Sequence, residues 1–284
     1  MSGAALTAAA VRPRSARSIL PGFGLTLGFT IFYLSAIVLI PLAALLLRPW
    51  SAGLHAFIAT VTAPRVLAAL RLSFTAAAAA AAASAVLGLV MAWTIERYRF
   101  PGRRIVDGLI DLPLALPTAV AGIALSTLYG PHGWLGAPLK ALGIKVAYTP
   151  LGIVVALIFI GLPFVIRTLQ PVIAELAVDA EEAAATLGAT RLTTLARVVV
   201  PALLPAIVTG ATLAFARSVG EYGSVIFIAG NLPMVSEIAP LLIVTKLEQF
   251  DYAGAAAIGV VMLLASLAIL IAVNLFQHRL SLRR

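Results

Sequence analysis

EEAAATLGAT, Glu181 to Thr190, stands in a chain that is 62% hydrophobic and only 11% charged. With Glu175 and Asp179, its Glu181 and Glu182 place four acids within eight residues. Glu181 to Leu187 are good helix formers, Gly188 is a stop signal, and a second apolar-periodic piece runs from Leu192 to Val199 and ends at Pro201. The pattern predicts two short helices hinged at a glycine. Such a hinge suits docking into another protein's groove, with apolar side chains as anchors and carboxylates setting register against a basic rim.

The surroundings of this stretch decide the fold class. A mean hydropathy of +1.07 over 284 residues is more apolar surface than one soluble core of that length has to bury. The chain therefore reads as an all-α, polytopic membrane protein. Its 20 Lys and Arg against 11 acids give a net charge of +9, which an anionic membrane surface explains better than nucleic acid does. The absence of cysteine removes disulfides and thiolate metal sites. His55, His132 and His278 have no ligand spacing, so no metal site is expected. No G-x-x-x-x-G-K-[ST] sequence occurs, so any ATP-derived energy must come from another chain.

A hydrocarbon core about 30 Å thick needs roughly 20 apolar helical residues. Six stretches meet that length: Phe23 to Leu47, Leu72 to Ile95, Ile105 to Tyr129, Ala147 to Ile166, Ala202 to Ser218 and Ala253 to Phe276. The first is too long for the core of a cleavable signal peptide and reads as an uncleaved span. Gly220 to Gly230 extends the fifth as a broken or re-entrant element. Residues 1–22 are then an N-terminal cytoplasmic segment, 23–276 the membrane domain and 277–284 a cytoplasmic tail.

Basic residues orient the spans, because Lys and Arg gather on the cytoplasmic side. With the N-terminus inside, inner segments hold Arg12, Arg14, Arg17, Arg97, Arg99, Arg103, Arg104, Arg167, Arg191, Arg197, Arg279, Arg283 and Arg284, 13 of the 20. Both termini are then cytoplasmic, and residues 170–200, acids included, form the longest cytoplasmic connection.

At this point the spacing becomes diagnostic. Glu182-Ala183-Ala184, three residues, Gly188, nine residues, then Val198-Val199-Val200-Pro201 resembles the EAA signature of ABC importer permeases, in which Ile-x-Leu-Pro closes the pattern. Valines replace the family's Ile and Leu here. RYRFPGRRIVDGLIDLPLALPTAVAGIAL (Arg97 to Leu125) and SVGEYGSVIFIAGNLPMVSEIAPLLIVTKLEQFDYAGAAAI (Ser218 to Ile258) extend the likeness to T-type permease subunits of bacterial sulfate/thiosulfate importers. Molybdate and tungstate permeases share the Gly-Glu-aromatic-Gly core and the Gly-Asn that follows it. The resemblance implies a type I, MetI-like permease fold in the bacterial inner membrane. It further implies a W-type sister permease, two ATPase subunits that bind ATP and Mg, and a periplasmic sulfate/thiosulfate-binding protein. This chain would carry no cofactor of its own. Glu181, Glu182, Ala183, Ala184, Gly188 and Pro201 would couple it to the ATPase.

Other residues are candidates on their own chemistry. Arg217 lies deep along the fifth span, where a charge facing lipid is costly, so it faces an anion path or pairs with Glu221 at i+4. Asp251 lies in the loop that follows. Ser218, Gly220, Gly223 and Ser224 surround a glycine-bounded break whose free N–H groups and hydroxyls suit a nearly neutral anion lining, or whose glycines allow tight helix crossing. Asp107 and Asp111, at i and i+4, could suggest an intramembrane aspartyl enzyme; no second acid-rich helix exists to complete it. They more simply neutralise Arg97, Arg99, Arg103 and Arg104 and favour a helix N-terminus. Pro113 and Pro117 should kink this span and open a cavity. The alanine run Ala76 to Ala83 suits close helix approach or reflects composition alone.

Overall fold

The computed structural model describes residues 22–281, and helix is the only regular secondary structure among them. Two units divide between Leu46 and Leu47. In the first, α1 (Phe23–Leu34) and α2 (Ile40–Leu47) are joined by a π turn, Ser35–Leu39, and none of these elements buries a residue. Arg12, Arg14, Arg17, Arg283 and Arg284 lie outside the described residues.

The second unit contains α3 (Leu54–Val61), α4 (Pro64–Arg97), α5 (Arg103–Ile110), α6 (Leu112–Ala115), α7 (Thr118–Tyr129) and α8 (Gly136–Ala141). It continues with α9 (Pro150–Glu175), α10 (Val178–Thr186), α11 (Arg191–Thr194), α12 (Val200–Val219), α13 (Val225–Ile228), α14 (Ala239–Glu248) and α15 (Tyr252–Ser281). α15 thus runs on into the expected C-terminal tail.

Five helices among the described residues are long and apolar enough to cross a membrane: Phe23–Ala52, Pro64–Arg97, Pro150–Glu175, Arg191–Val219 and Tyr252–Leu275. Arg103–Ala115 with Thr118–Tyr129 supplies a sixth if the pair is one span, but it bends by 112°. The expected third span is therefore not a straight helix. Proline disfavours helical geometry at the residue before it, and here Leu116 takes ψ 137, with Pro117 itself extended at ψ 130. A cavity of about 200 Å³ flanks the first half of the bend, with Val106, Ile110 and Pro113 in its wall.

The core is the packing of α4, α9 and α12 on one another. α4 buries Val66, Ala69, Leu70, Ser73, Ala76, Ala77, Ala80, Ala81, Ser84, Gly88, Ala92 and Ile95, a face that recurs every three or four residues. Ala78, Ala79 and Ala82 point away from it. The alanine run is thus a contact surface along one side only. In a bilayer no hydrophobic force pulls helices together, so small residues that permit close van der Waals approach hold this core. Each carbon pair adds only about 0.1–0.2 kcal/mol, and a whole face is needed.

The expected stop at Pro201 is absent. α11, the π turn Leu195–Val199 and α12 run together as Arg191–Val219. A proline inside a helix cannot donate to the carbonyl four residues back. Here the widened turn ends two residues before Pro201, where the hydrogen-bond register already shifts. Pro41 follows Ser35–Leu39 in the same way.

Candidate functional site

The stretch Glu181 to Thr190 folds as its spacing predicts. α10 carries Asp179 and Glu181 in its first turn, where the helix dipole favours negative charge. It ends at Leu187, and Gly188 takes φ +83, a conformation other residues rarely adopt. The Gly188 N–H donates to the Ala185 carbonyl and the Ala189 N–H to the Ala184 carbonyl, both at 3.0 Å, which is a Schellman closure. Thr190 then caps α11 by accepting from the Thr193 N–H at 3.3 Å. Ala183 and Ala184 thus serve as a narrow helix face and as carbonyl acceptors for the turn.

The two glutamates of the signature point to different partners. Arg97, at the end of α4, donates through Nη2 to Glu181 Oε1 and to the Leu176 carbonyl, each at 3.0 Å, and its guanidinium lies 5.1 Å from the Trp93 ring centre. Glu182 is exposed, as are Leu187 (87%) and Leu192 (78%). Glu181 is therefore part of the internal framework, and Glu182 with the two leucines forms the outward surface. A cavity of about 530 Å³ separates this loop from α4, lined by Trp93, Tyr98, Glu181, Ala185 and Arg191 among others.

Asp107 and Asp111 converge on Arg167 of α9, not on the basic residues that precede them. Arg167 Nε and Nη2 donate to the two Asp111 carboxylate oxygens at 2.8 and 2.6 Å, and Nη1 donates to Asp107 Oδ1 at 2.7 Å. Gln170 accepts from Arg167 at 2.6 Å and donates to Asp107 and to Glu96, which is also paired with Arg103. Arg103, one turn before Asp107 on α5, turns to Glu96 at 3.2 Å and Arg97 turns to Glu181 at 3.0 Å, while Arg167 reaches the two aspartates because α6 and α7 pack on α9. With one guanidinium between them, the carboxylates cannot act as a converging acid–base pair. Among the described residues, no three His, Cys, Asp or Glu side chains gather as a metal ion would need.

The break after α12 is a second framework. Arg217 Nη1 lies 2.6 Å from Glu221 Oε2, while Glu221 Oε1 accepts from the Ser224 N–H at 3.1 Å and its hydroxyl at 3.2 Å. Glu221 is 3% exposed and Ser224 fully buried, so one buried carboxylate joins the end of α12 to the start of α13. The Glu221 N–H is itself spent on the Ser218 carbonyl. At the glycine-bounded break Ser218, Glu221 and Ser224 are buried, Arg217 and Gly223 are half-buried and Gly220 is exposed. The Oγ atoms of Ser218 and of Ser84 on α4 are buried without a hydrogen-bond partner among the described residues.

The glycines of this block serve close approach. A Cβ on Gly122 of α7 would stand 2.8 Å from Ser224 Cα, and one on Gly223 would meet Thr118. The second half of the bent helix therefore lies directly on the break. Asn231 closes α13 by donating to the Ile226 carbonyl at 3.0 Å, and the Tyr148 N–H donates to the Ile228 carbonyl at 2.6 Å. Tyr148 does so at φ 64, rare for a bulky residue, and it lines cavities of about 330 and 710 Å³.

Asp251 is the N-cap of α15, accepting from the Gly254 N–H at 2.8 Å and from Lys246 Nζ at 2.8 Å. The Lys246 ammonium first, and the Gly254 amide second, hold its carboxyl below the ordinary value of 3.8.

Sequence reading missed Arg97, Arg167, Ser84 and Tyr148 as positioned residues. The signal for Arg167 was available: an arginine in a long apolar helix requires acids, and Asp107 and Asp111 share one helical face. Nothing local marks the other three.

Membrane-length apolar helices, one of them a pair bent by 112°, with a capped acidic helix turned outward at a loop, mark an integral membrane protein. The chain belongs to the family described as binding-protein-dependent transport system inner membrane component, which matches residues 84–283. It is 48% identical over 269 residues to the sulfate transport system permease protein CysT of Salmonella typhimurium, covering 95% of this chain and 97% of that one. The Escherichia coli protein of the same name is 47% identical with the same coverage. Among solved structures, a bacterial alginate ABC transporter in complex with an alginate pentasaccharide-bound periplasmic protein contains a chain of like fold. It has a TM-score of 0.75 at 18% identity, covering 90% of this chain and 94% of that one.

Proposed function

We propose that this chain is a membrane-spanning permease subunit of an ATP-driven importer that carries sulfate or thiosulfate across the bacterial inner membrane. The observation that carries the reading is the loop of α10 and α11, hinged at Gly188, which presents Glu182, Leu187 and Leu192 outward. Three exposed groups of that kind suit a docking ridge, and burying a leucine in a partner's groove is worth about 1.5–3 kcal/mol. The importer has two ATPase subunits, which hold ATP and Mg, and one of them takes that ridge on the cytoplasmic side. A W-type sister permease and a periplasmic binding protein complete the importer, and both termini of this chain are cytoplasmic. Relatives named for sulfate transport favour sulfate over molybdate or tungstate.

Sulfate is a dianion and must not be trapped on its way. Arg217 paired with Glu221 offers oriented donors at near-zero net charge, so we assign Arg217 and Gly220 to the wall of the path. Labelled sulfate uptake tests the reading in a host deleted for this protein and complemented with wild type, Gly188→Pro or vector. Wild type restores uptake, and Gly188→Pro, present in the membrane at equal abundance, does not. Failure of wild type with its partners present, together with uptake of labelled molybdate, would overturn the substrate.

A further inference from the structure

We infer that α4 is a strut that carries displacement of the ATPase-facing loop to the opposite end of the bundle, and that Arg97 and Arg65 are the positioning residues attaching its two ends. The inference rests on reading α10 as the docking helix.

α4 has 34 residues and, at 1.5 Å per residue, a length of about 50 Å. Its single proline is the first residue, and no π turn interrupts it. α9 by contrast contains Pro163 and Pro171, and α12 contains Pro205 and follows a π turn. An uninterrupted hydrogen-bond ladder resists bending, so a push at one end of α4 arrives at the other.

Both ends are fixed by arginines, Arg97 through Nη2 alone and Arg65 through a fork. At the loop end Arg97 grips the Leu176 carbonyl, where α9 stops, and Glu181 in the first turn of α10, while the Trp93 ring lies against its guanidinium. One side chain thus holds both sides of the connection between α9 and α10. At the far end Arg65 binds Glu237 bidentately, Nε to Oε2 at 2.8 Å and Nη2 to Oε1 at 2.7 Å. Glu237 is 3% exposed. Eight residues further along α4, Ser73 Oγ accepts from the buried Ala239 N–H at 2.8 Å. The segment so held, Ser236 to Ala239, leads from the α13 break into α14. A bidentate guanidinium–carboxylate pair fixes direction as well as distance, as a strut attachment requires. The coupling loop and the segment behind the break therefore share one rigid connection, although neither touches the other.

The test uses the whole importer in proteoliposomes, reading ATPase copurification, ATP hydrolysis and sulfate uptake per ATP. Arg97→Gln and Arg65→Gln each retain the ATPase and hydrolyse ATP, while uptake per ATP falls about 10-fold, the size of an ordinary coupling between sites. The double variant falls no further than either single one, because both cut the same connection. Arg97→Lys, which keeps a charge-assisted bond to Glu181, recovers uptake per ATP. A fall in hydrolysis and uptake by the same factor, or normal uptake per ATP in Arg65→Gln, would overturn the strut. Loss of the ATPase on substituting Glu182 or Leu187 tests the docking reading separately, so failure of one is not mistaken for failure of the other.

Discussion

The loop around α10 and the break around α13 are both short helices between long ones, yet they treat polarity in opposite ways. The loop of α10 and α11 leaves Glu182, Leu187 and Leu192 exposed and is tied to α4 through Glu181. The break buries Glu221, Ser224, Ser236 and Glu237, each of which takes part in a hydrogen bond, Ser224 as donor and the others as acceptors, and leaves the Ser218 Oγ unpartnered among the described residues. The contrast follows from surroundings. A buried carboxylate in an apolar bundle is tolerated only when its oxygens are occupied. A loop that leaves its leucines outside gains only when another surface covers them.

Replacing the buried acid should break the second region most severely. Glu221→Ala strands Arg217 and the Ser224 N–H, and the detergent-solubilised protein should lose about 3 kcal/mol, the low end for a broken buried pair because Arg217 is partly exposed. Thermal unfolding measures it, and Glu221→Gln should lose visibly less. Gly122→Val comes next. Its side chain would enter the backbone of Ser224, so a loss of about 2 kcal/mol is expected from overpacking, again by thermal unfolding.

The loop is less sensitive. Gly188→Ala forces a Cβ into the left-handed region at a cost of about 1–2 kcal/mol, confined to the end of α10. Hydrogen exchange should show faster opening there and unchanged protection in α4 and α9. The smallest effect belongs to Asp251, whose folded carboxyl is held below 3.8 by Lys246 and Gly254. A depressed folded value means that its contribution is complete above the unfolded value and fades as pH falls through the folded one. Wild type should therefore unfold at a higher temperature than Asp251→Asn above about pH 5, and the two curves should converge toward pH 2.

The sequence made α10 legible because its bonds are local. Ala189 to Ala184 closes over five residues, so composition and a glycine predict it. Hydropathy located the spans for the same reason. Pro117 was visible as a kink, but the 112° turn depends on Leu116 and Pro117 both taking extended geometry with α7 seated on Ser224. Pro201 misled because a preceding π turn, which no residue type announces, absorbs it. The partners of Asp107 and Glu181 lie 60 and 84 residues away, so their charges could be counted and not matched. Likewise the glycine-bounded break could be located, while the closing of its amides onto Glu221 and Ser218 could not.

The central claim is that Leu187 stands in an ATPase groove. The chain contains no cysteine, so Leu187→Cys supplies a unique position for a benzophenone maleimide, with Leu151→Cys, also exposed, as the reference. Irradiation of a sulfate-importing complex should yield a permease–ATPase adduct from position 187 and none from position 151. A complex that imports sulfate yet gives no ATPase adduct from 187 would contradict the account.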